Sequence, residues 1–335
     1  MISTSIKRRL RSKEAVLLLV TIVVVLAFYI NSRTFLSVGA LRGVMNDMSV
    51  VGIMAIGVSF LFIGGGIDLS MTFVALFGGV FCAMMIQMGV PWGLAMVIAI
   101  AVGAVIGAIS AFLVTKVGIM AFVATIAMSS ILQGVNLILT NAQNVAIPVG
   151  MFAWGSRTFG IFPFPFIIMV VLLLVYGIIL NKTQFGRNMF LVGGNDYAAR
   201  LAGINPKKVR TVLYINSAML ATLGGLVSTS RLRSASPLAA AEWQLDAITA
   251  AILGGVAFGG GSGSMVGCFI GILMLNFFNF GLSSLGIDAY WETIASGMLL
   301  LIALALDFLS ERSRQKALLA KSAADREQKV KGANV

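Results

Sequence analysis

A chain of 335 residues that is 59% hydrophobic and 11% charged cannot hide its apolar surface in a water-soluble globule, where about a quarter of residues are charged. A mean hydropathy of +0.99 and runs approaching 20 apolar residues indicate an all-α integral membrane protein, and the alternation of an outer-membrane barrel is missing from the sequence. The net charge of +12 does not indicate nucleic-acid binding, because the basic residues cluster beside apolar runs.

The N-terminal stretch "KRRLRSKEAVLLLVTIVVVLAFYI" places basic residues before an apolar run, as a signal peptide does. The apolar run is longer than a usual signal-peptide core, and no small-residue cleavage site follows it. The sequence therefore predicts a retained first membrane helix.

Apolar runs bounded by turn residues or charges predict about ten transmembrane helices. Two pairs of runs are separated only by "GGGIDLS" and "GGGSGS", and such short, glycine-interrupted segments indicate broken or re-entrant helices. The approximate limits of the runs are 15–30, 46–63, 70–88, 92–115, 118–139, 163–180, 209–230, 246–258, 264–283 and 289–308.

The distribution of basic residues predicts that both termini are cytoplasmic. With ten spans, the cytoplasmic segments hold five, one, six and seven of the 24 basic residues, and the outer segments hold the other five. Cytoplasmic loops carry such an excess, and nine spans would place one terminal cluster outside. We predict a basic N-terminus at 1–14, a transmembrane domain at 15–308 and a charged cytoplasmic tail at 309–335.

Two glycine-rich segments resemble each other and predict two related halves. "GVSFLFIGGGIDLSM" (57–71) and "GGVAFGGGSGSM" (254–265) both lead from apolar residues through a triple glycine to Ser-Met. Related halves are common in transporters, while chance recurrence of glycine runs is the alternative. "GGGSGS" lacks the lysine of a phosphate loop, so we expect hinges or close helix packing at Gly64, Gly65, Gly66, Gly259, Gly260 and Gly261.

Catalytic and metal-binding motifs are missing from this sequence. There is no histidine, and Cys82 and Cys268 each lie alone in an apolar run, which predicts neither a disulfide framework nor a metal site. Phosphate-loop, metalloprotease and nucleophile-elbow motifs are missing too. We therefore expect no metal, no cofactor and no catalytic residues, and a transport role.

Two carboxylates are candidates for a site in the membrane. An ionisable group inside a membrane span indicates a functional site by default, and Asp68 and Asp246 lie at or near such spans. Each is also placed to cap the start of a helix, which is the alternative role. We include Ser70, two residues after Asp68, with the same group of candidates.

Amide side chains on two predicted helices are the other candidates for a translocation path. Ser129, Gln133 and Asn136 have the spacing of one helix face, and Asn276 and Asn279 are spaced i, i+3 among phenylalanines. Amides beside aromatic faces suit a neutral, polyhydroxylated solute. Hydrogen bonding between helices is the alternative role.

Residues 193–206, "GGNDYAARLAGINP", predict a short and well-capped helix. Asn195 suits the N-cap, and Asp196 in the first turn complements the helix dipole. Gly203 suits the position after the C-cap, and Pro206 prevents the helix from continuing.

This short helix also carries a surface suited to docking. It lies in the predicted cytoplasmic segment 181–208, and Tyr197 and Leu201 form an apolar stripe beside Arg200. An exposed apolar stripe fits a groove on another protein, whereas a helix resting on lipid is the alternative.

Five segments together resemble the permease subunits of ribose-, galactose- and arabinose-type ABC importers, over about residues 35–308. The five matching segments are "GGGIDLS" (64–70), "AFVATIAMSSILQGVNLILTN" (121–141), "NKTQFGRNMFLVGGNDYAARLAGI" (181–204), "WQLDAITAAILGGVAFGGGSGSMVG" (243–267) and "LSSLGIDAYWETIASGMLLLIALALD" (282–307).

The resemblance implies a transport subunit of the bacterial inner membrane, with partners. It implies a second permease copy in the bilayer, a cytoplasmic ABC ATPase and an extracytoplasmic sugar-binding protein. The binding protein is expected on outer loops around 31–42, 140–160, 231–243 and 284–290. The resemblance assigns coupling to the ATPase to Gly194, Asn195, Asp196, Tyr197, Arg200, Leu201 and Gly203.

The sequence departs from this family in two places and leaves other functions open. Met71-Thr72-Phe73 replaces the usual Val-Gly-Ser after "GGGIDLS", and an acid has moved to Glu242 before "WQLDAI". Both departures concern which solute is carried. The alternatives are a branched-chain amino-acid permease, an ion-coupled secondary transporter and, least supported, an intramembrane enzyme.

Overall fold

The computed structural model describes residues 13–148, 154–238, 242–288, 290–309 and residue 312 of the chain. Most of this part is helical, with two short two-stranded ladders. Eight of the described helices are long and apolar enough to cross a bilayer, by length and composition. The expectation of an all-α membrane protein is therefore confirmed.

Helices occupy all ten predicted apolar runs, and two further short helices lie between the sixth and seventh runs. The helices are α1 Lys13–Asn31, α2 Val38–Ile63, α3 Met71–Gln87, α4 Trp92–Phe112, α5 Ala121–Thr140, α6 Phe164–Lys182, α7 Gln184–Gly194, α8 Asp196–Leu201, α9 Pro206–Leu232, α10 Trp243–Leu253, α11 Met265–Ser284 and α12 Tyr290–Leu309. A π-helical turn, Leu113–Val117, extends α4. The apolar helices α3 and α10 are shorter than the other eight.

Helices α2 and α9 form the centre of the protein. Most of α2 is buried, and α9 packs against α2, α3 and α4. Small residues allow these close approaches: a side chain at Gly225 would collide with the Ala75 carbonyl, and one at Gly107 would lie 2.8 Å from Ile215 Cα. Helices α1 and α12 present apolar side chains on the outside, as lipid-facing helices do.

The molecule has two ends, which α9 connects. Its 27 residues span about 40 Å at the α-helical rise of 1.5 Å per residue. At one end, β1 (Val145–Ala146) pairs antiparallel with β4 (Ser234–Ala235), just after α9 stops. Between them in sequence, β2 (Thr158–Phe159) pairs with β3 (Phe162–Pro163). The other end holds α7, α8 and the start of α9.

The loop 64–70 and helix α3 together connect the two ends of the molecule. The loop starts at the end of α2, its Asp68 contacts Ser217 in the first half of α9, and the amide of Gln87 in the last turn of α3 donates to Ala146 O at 2.7 Å. The two loops that contain triple glycines lie at the same end, because Gly261 N donates to Ile63 O at 2.9 Å. The number of spans and the position of the termini stay predictions, and residues 1–12 and 313–335 lie outside the described part.

Candidate functional site

A polar cavity of about 330 Å³ opens at the end of the molecule where β1 and β4 pair. Five helices contribute to it, namely the first part of α2, the last turns of α9 and α11, and the first turns of α10 and α12. Its volume falls at the lower limit of ligand pockets, roughly 300 Å³. The polar and aromatic lining residues are Asp47, Ser228, Arg231, Glu242, Trp243, Asp246, Asn276, Asn279, Phe280, Ser283, Glu292, Thr293 and Ser296.

Hydrogen bonds between helices hold the polar groups of this cavity in place. Ser296 of α12 donates to Asn279 Oδ1 of α11 at 3.2 Å, and Thr293 donates to Glu242 Oε1 at 3.0 Å. The Asn276 amide donates to the Ile272 carbonyl one turn earlier. The cavity therefore presents carboxylate and amide oxygens from several helices around one volume.

The cavity carries an excess of negative charge. Four carboxylates line it, and among the described lining residues Arg231 is the one cation. Arg231 is paired with Asp47, at 2.6 Å between Nη2 and Oδ1. Within the described ranges the carboxylates do not form a group that fits a metal ion. The chemistry of the lining therefore suits hydroxyl donors, which carboxylates and amides accept.

The structure brings three of the predicted path residues together in the cavity: Asp246, Asn276 and Asn279. Asp68 and Ser70 lie elsewhere, and Asp68 contacts Ser217 in the first half of α9. The Asp68 carboxylate accepts from Ser70 N at 2.8 Å and from Ser70 Oγ at 2.6 Å. It therefore stabilises the turn that leads into α3, next to the predicted helix start.

The predicted polar face of α5 does not line the cavity. Ser129 and Gln133 are half-buried and Asn136 is fully buried, on a helix that packs mainly against α3. Neither amide atom of Asn136 has a hydrogen-bond partner among the described residues. The shared face predicted from the spacing is thus present, on the side of the molecule away from α11.

A second cluster, which we name the glycine junction, lies at the opposite end of the molecule. It comprises Gly64–Gly66 after α2, Gly193–Gly194 at the end of α7 and Gly259–Gly261 between α10 and α11. A Cβ at Gly260 would lie 2.7 Å from Gly193 O, and one at Gly261 would lie 2.7 Å from Gly194 Cα. Both triple glycines predicted as hinges or packing sites therefore meet each other at the base of the segment 195–203.

Helix α8 has the caps that the sequence predicted. Asn195 Oδ1 accepts from Tyr197 N at 2.9 Å and from Ala198 N at 3.0 Å. At the other end Gly203 has φ +77°, and Ile204 N donates to Ala199 O, as in a Schellman motif. Pro206 begins the next helix instead of extending this one.

The apolar stripe on α8 is exposed. Tyr197 and Leu201 are 71% and 73% accessible, and the Arg200 side chain beside them is 66% accessible. Nothing else among the described residues covers this surface. Two large apolar side chains on so short a helix are typical of a contact with another molecule.

Sequence reasoning missed the residues of α9 that bind the loop 64–68. Arg210, Tyr214 and Ser217 have the i, i+4, i+7 spacing of one helix face, and this spacing was the available signal. Arg210 Nε donates to Gly64 O at 3.2 Å and Tyr214 OH donates to Ile67 O at 2.8 Å. Ser217 Oγ donates to Asp68 Oδ2 at 3.4 Å.

Comparison with known proteins gives consistent matches over most of the chain. The sequence model of the family described as "Branched-chain amino acid transport system / permease component" matches residues 40–304. The ribose import permease protein RbsC of Escherichia coli (strain K12) is 35% identical over 304 residues, which cover 89% of this chain and 94% of that protein.

Two further relatives agree with this match. RbsC of Bacillus subtilis (strain 168) is 34% identical over 288 residues, which cover 85% of this chain and 89% of the relative. The galactose/methyl galactoside import permease protein MglC of Escherichia coli (strain K12) is 30% identical over 318 residues, which cover 89% of this chain and 94% of the relative. No solved structure matches the chain significantly.

Proposed function

The chain belongs to the family of branched-chain amino acid transport system permease components, and from that premise we propose that it is the membrane-spanning subunit of an ATP-driven importer for a monosaccharide. It is a multi-pass protein of the bacterial inner membrane, as its relatives are. The observation that carries the proposal is the match to sugar import permeases over nearly their whole length. The family match, residues 40–304, contains both the cavity and the glycine junction.

The solute we propose is a neutral, polyhydroxylated molecule of the ribose type. Its hydroxyls would donate to the carboxylates of Glu242 and Asp246 and exchange hydrogen bonds with the amides of Asn276 and Asn279. The Trp243 ring offers an apolar face for the ring of the sugar. The excess of negative charge in the cavity supports this class over anionic solutes, which it would repel.

A branched-chain amino acid is the second candidate, because the family description names that class. Such a solute is a zwitterion, and its carboxylate needs a cation or backbone N–H donors in the site. In the cavity Arg231 is already engaged by Asp47. A sugar needs no such partner, so we favour the sugar.

The two ends of the molecule support the two partners that we propose. An ATPase subunit docks on the exposed stripe of α8 and pushes on the glycine junction, while a solute-binding protein docks at the cavity end. Contacts among three of the four loops predicted for that contact support this arrangement: Arg42 Nη2 donates to Gly160 O at 2.9 Å, and the β1–β4 pair joins the loop 140–160 to the loop 231–243. Residues 149–153, 239–241 and 289 of these loops lie outside the described part.

The rest of the proposed architecture keeps the predicted limits. The transmembrane domain spans 15–308 in ten helices, with two related halves, two copies in the bilayer and cytoplasmic termini. The meeting of both glycine loops at one end supports the two halves, and the path of the loop 64–70 with α3 between the two ends supports the ten crossings. Solute would pass the cavity and then polar groups deeper in the protein, with Asp68, Ser70, Ser129, Gln133 and Asn136 as the candidates.

An ion-coupled transporter that works without an ATPase is less well supported. It needs a buried carboxylate that is free to bind an ion or proton. The Asp68 carboxylate is held by donors from Ser70 and Ser217. Its geometry fits a structural turn better than a relay.

The proposal is tested by co-purification and uptake in the native bacterium. A tagged permease is expected to bring down an ABC ATPase, and the cells are expected to take up labelled ribose and not labelled leucine. Leu201→Asp places a charge in the docking stripe, so we expect about a tenfold or greater loss of ATPase retention and of uptake. Tyr197→Asp should do the same.

Leu238→Asp is the matched control for the co-purification. Leu238 is also exposed, but it lies at the cavity end of the molecule. This variant should retain the ATPase. A permease that purifies without an ATPase, or Leu201→Asp cells with unchanged uptake, would contradict the proposal, and uptake of leucine alone would change the solute class.

A further inference from the structure

Arg210, in the first turns of α9, connects α8 to the glycine junction. Its Nη1 donates to Asp196 Oδ2 at 2.8 Å and its Nη2 to Asp196 Oδ1 at 2.7 Å, a two-pronged ion pair with the first residue of α8. Its Nε donates to the carbonyl of Gly64, the first residue of the glycine junction, at 3.2 Å. One guanidinium group therefore binds both elements at once.

The guanidinium group of Arg210 fixes the orientation of the Asp196 carboxylate as well as its distance. Its planar fork matches the two carboxylate oxygens, so the pair is defined in orientation, which a lysine could not achieve. The pair is partly exposed, with side-chain accessibilities of 25% and 33%, so solvent screens its attraction, while the bidentate geometry still defines the relative position of α8 and α9. Its geometry therefore points to positioning.

The second ion pair of Asp196 has a different character. Arg200 Nη2 lies 3.9 Å from Asp196 Oδ2, on the same helix, and its side chain is 66% accessible. This pair stays within α8 and connects to nothing beyond it. Arg200 is therefore a natural control for Arg210, with the same charge and the same carboxylate.

The Gly64 carbonyl is attached to the rest of the glycine junction. Gly64 directly follows Ile63, whose carbonyl accepts from Gly261 N at 2.9 Å. A Cβ added at Gly65 would lie 3.2 Å from Arg210 Nη2, so the loop is packed against the guanidinium. When α8 moves relative to α9, Arg210 must either move the loop 64–66 or lose one of its two attachments, the ion pair with Asp196 or the hydrogen bond to Gly64 O.

We propose that Arg210 is the positioning residue that passes movement of α8 to the glycine junction, and so to the helices α2 and α10–α11 that lead from it. The inference rests on the proposed function, since α8 is moved by a partner. Within it, Arg210 is the link, and the Asp196 carboxylate and the Gly64 carbonyl are its two attachment points. Tyr214 and Ser217 hold the same loop to α9 but do not reach α8.

The first arm of the test needs no partner. Hydrogen–deuterium exchange is measured on the purified permease in lipid nanodiscs, comparing Arg210→Gln, Arg200→Gln and the unaltered protein. Arg210→Gln is expected to raise exchange about tenfold in both 195–203 and 64–66. Arg200→Gln should leave 64–66 unchanged. Equal exchange in 64–66 for the two variants would overturn the proposal, whatever the protein transports.

The second arm separates positioning from folding. In the complex purified with its ATPase, Arg210→Gln is expected to keep ATP hydrolysis within about twofold while lowering labelled ribose transported per ATP about tenfold. A merely structural residue would lower both in step with the amount of folded complex. That parallel loss would overturn the proposal, whereas hydrolysis or ribose transport missing in the unaltered complex would count against the proposed function alone.

A charge exchange tests the double attachment of Arg210. The double variant Asp196→Arg/Arg210→Asp restores an ion pair between α8 and α9, but an aspartate cannot donate to the Gly64 carbonyl. We expect exchange in 195–203 to return towards the original level, while exchange in 64–66 stays raised and ribose transport per ATP stays low. Full recovery of transport would show that the ion pair alone suffices and would contradict the role of the Gly64 bond.

Discussion

Neighbouring glycines at the end of α7 illustrate how differently two identical residues are constrained. A Cβ at Gly193 would collide with the Ile63 carbonyl oxygen and lie 2.6 Å from Gly261 N. A Cβ at Gly194 would meet no atom within 4 Å. The first glycine is required by the approach of two other backbone segments, and the second is not.

We predict that Gly193→Ala destabilises the permease and Gly194→Ala does not. Overpacking typically costs about 1–3 kcal/mol, and here the obstacle is backbone that cannot rotate away. Thermal unfolding of the detergent-solubilised protein measures the difference, with Gly194→Ala as the matched control. Equal melting temperatures for the two variants would mean that the glycine junction is less closely packed than described.

Two aspartates with the same predicted roles have different surroundings in the structure. From the sequence, Asp68 and Asp246 were each predicted to be either a helix cap or a functional group. Asp68 is buried in a turn and held by Ser70 and Ser217, whereas Asp246 lines the cavity beside Glu242. The difference between the two aspartates depends on which other helices pack against each of them, and this packing cannot be read from a single sequence.

Helix α8 is an element whose ends are defined locally. Its N-cap is Asn195 and its C-terminal turn is closed at Gly203, so six residues form a helix that would be unstable alone. Local residues set its bounds, which explains why the sequence predicted them closely. Its first residue, Asp196, is bound by Arg210 from a different helix.

We predict that Asn195→Ala loosens α8 without unfolding the protein. The change removes the acceptor for Tyr197 N and Ala198 N, and losing such a cap costs about 0.5–2 kcal/mol. Hydrogen exchange at these two amides is expected to rise several-fold. Asn181→Ala, which removes an exposed bond to Gly177 O at the end of α6, should leave them unchanged. Unaltered exchange in Asn195→Ala would mean that the cap does not control the helix.

The whole molecule is organised by its two ends, with a negatively charged cavity at one and the glycine junction with α8 at the other. Helix α9 connects them, from Arg210 near the junction to Arg231 in the cavity. This arrangement separates the proposed solute entry from the proposed ATPase contact by the length of a membrane-spanning helix. Any coupling between them has to pass through packed helices.

We predict that the two ends lie on opposite sides of the membrane. Leu201→Cys should react with a membrane-impermeant maleimide only in inside-out vesicles, and Leu238→Cys only in intact spheroplasts. Both positions are exposed, and the natural cysteines Cys82 and Cys268 are fully buried, so the unaltered protein is the unlabelled control. Labelling of both positions from one side would contradict the predicted ten spans.

The sequence alone determined the class of the protein and the features that depend on neighbouring residues. Apolar runs located the membrane helices because crossing lipid requires continuous apolar length. The caps at Asn195 and Gly203 were predicted because capping acts within a few residues. The resemblance to sugar permeases was carried by motifs spread along the chain, and the comparisons confirmed it.

Only the tertiary structure decided which distant residues act together. It placed Asp246, Asn276 and Asn279 in one cavity with Arg231 and Glu292, and left the polar face of α5 outside it. It also joined Gly65, Gly193 and Gly260, and showed that Arg210 binds two elements. These contacts cross more than a dozen residues of sequence, and they follow from how helices pack, which neither spacing nor composition along one chain encodes.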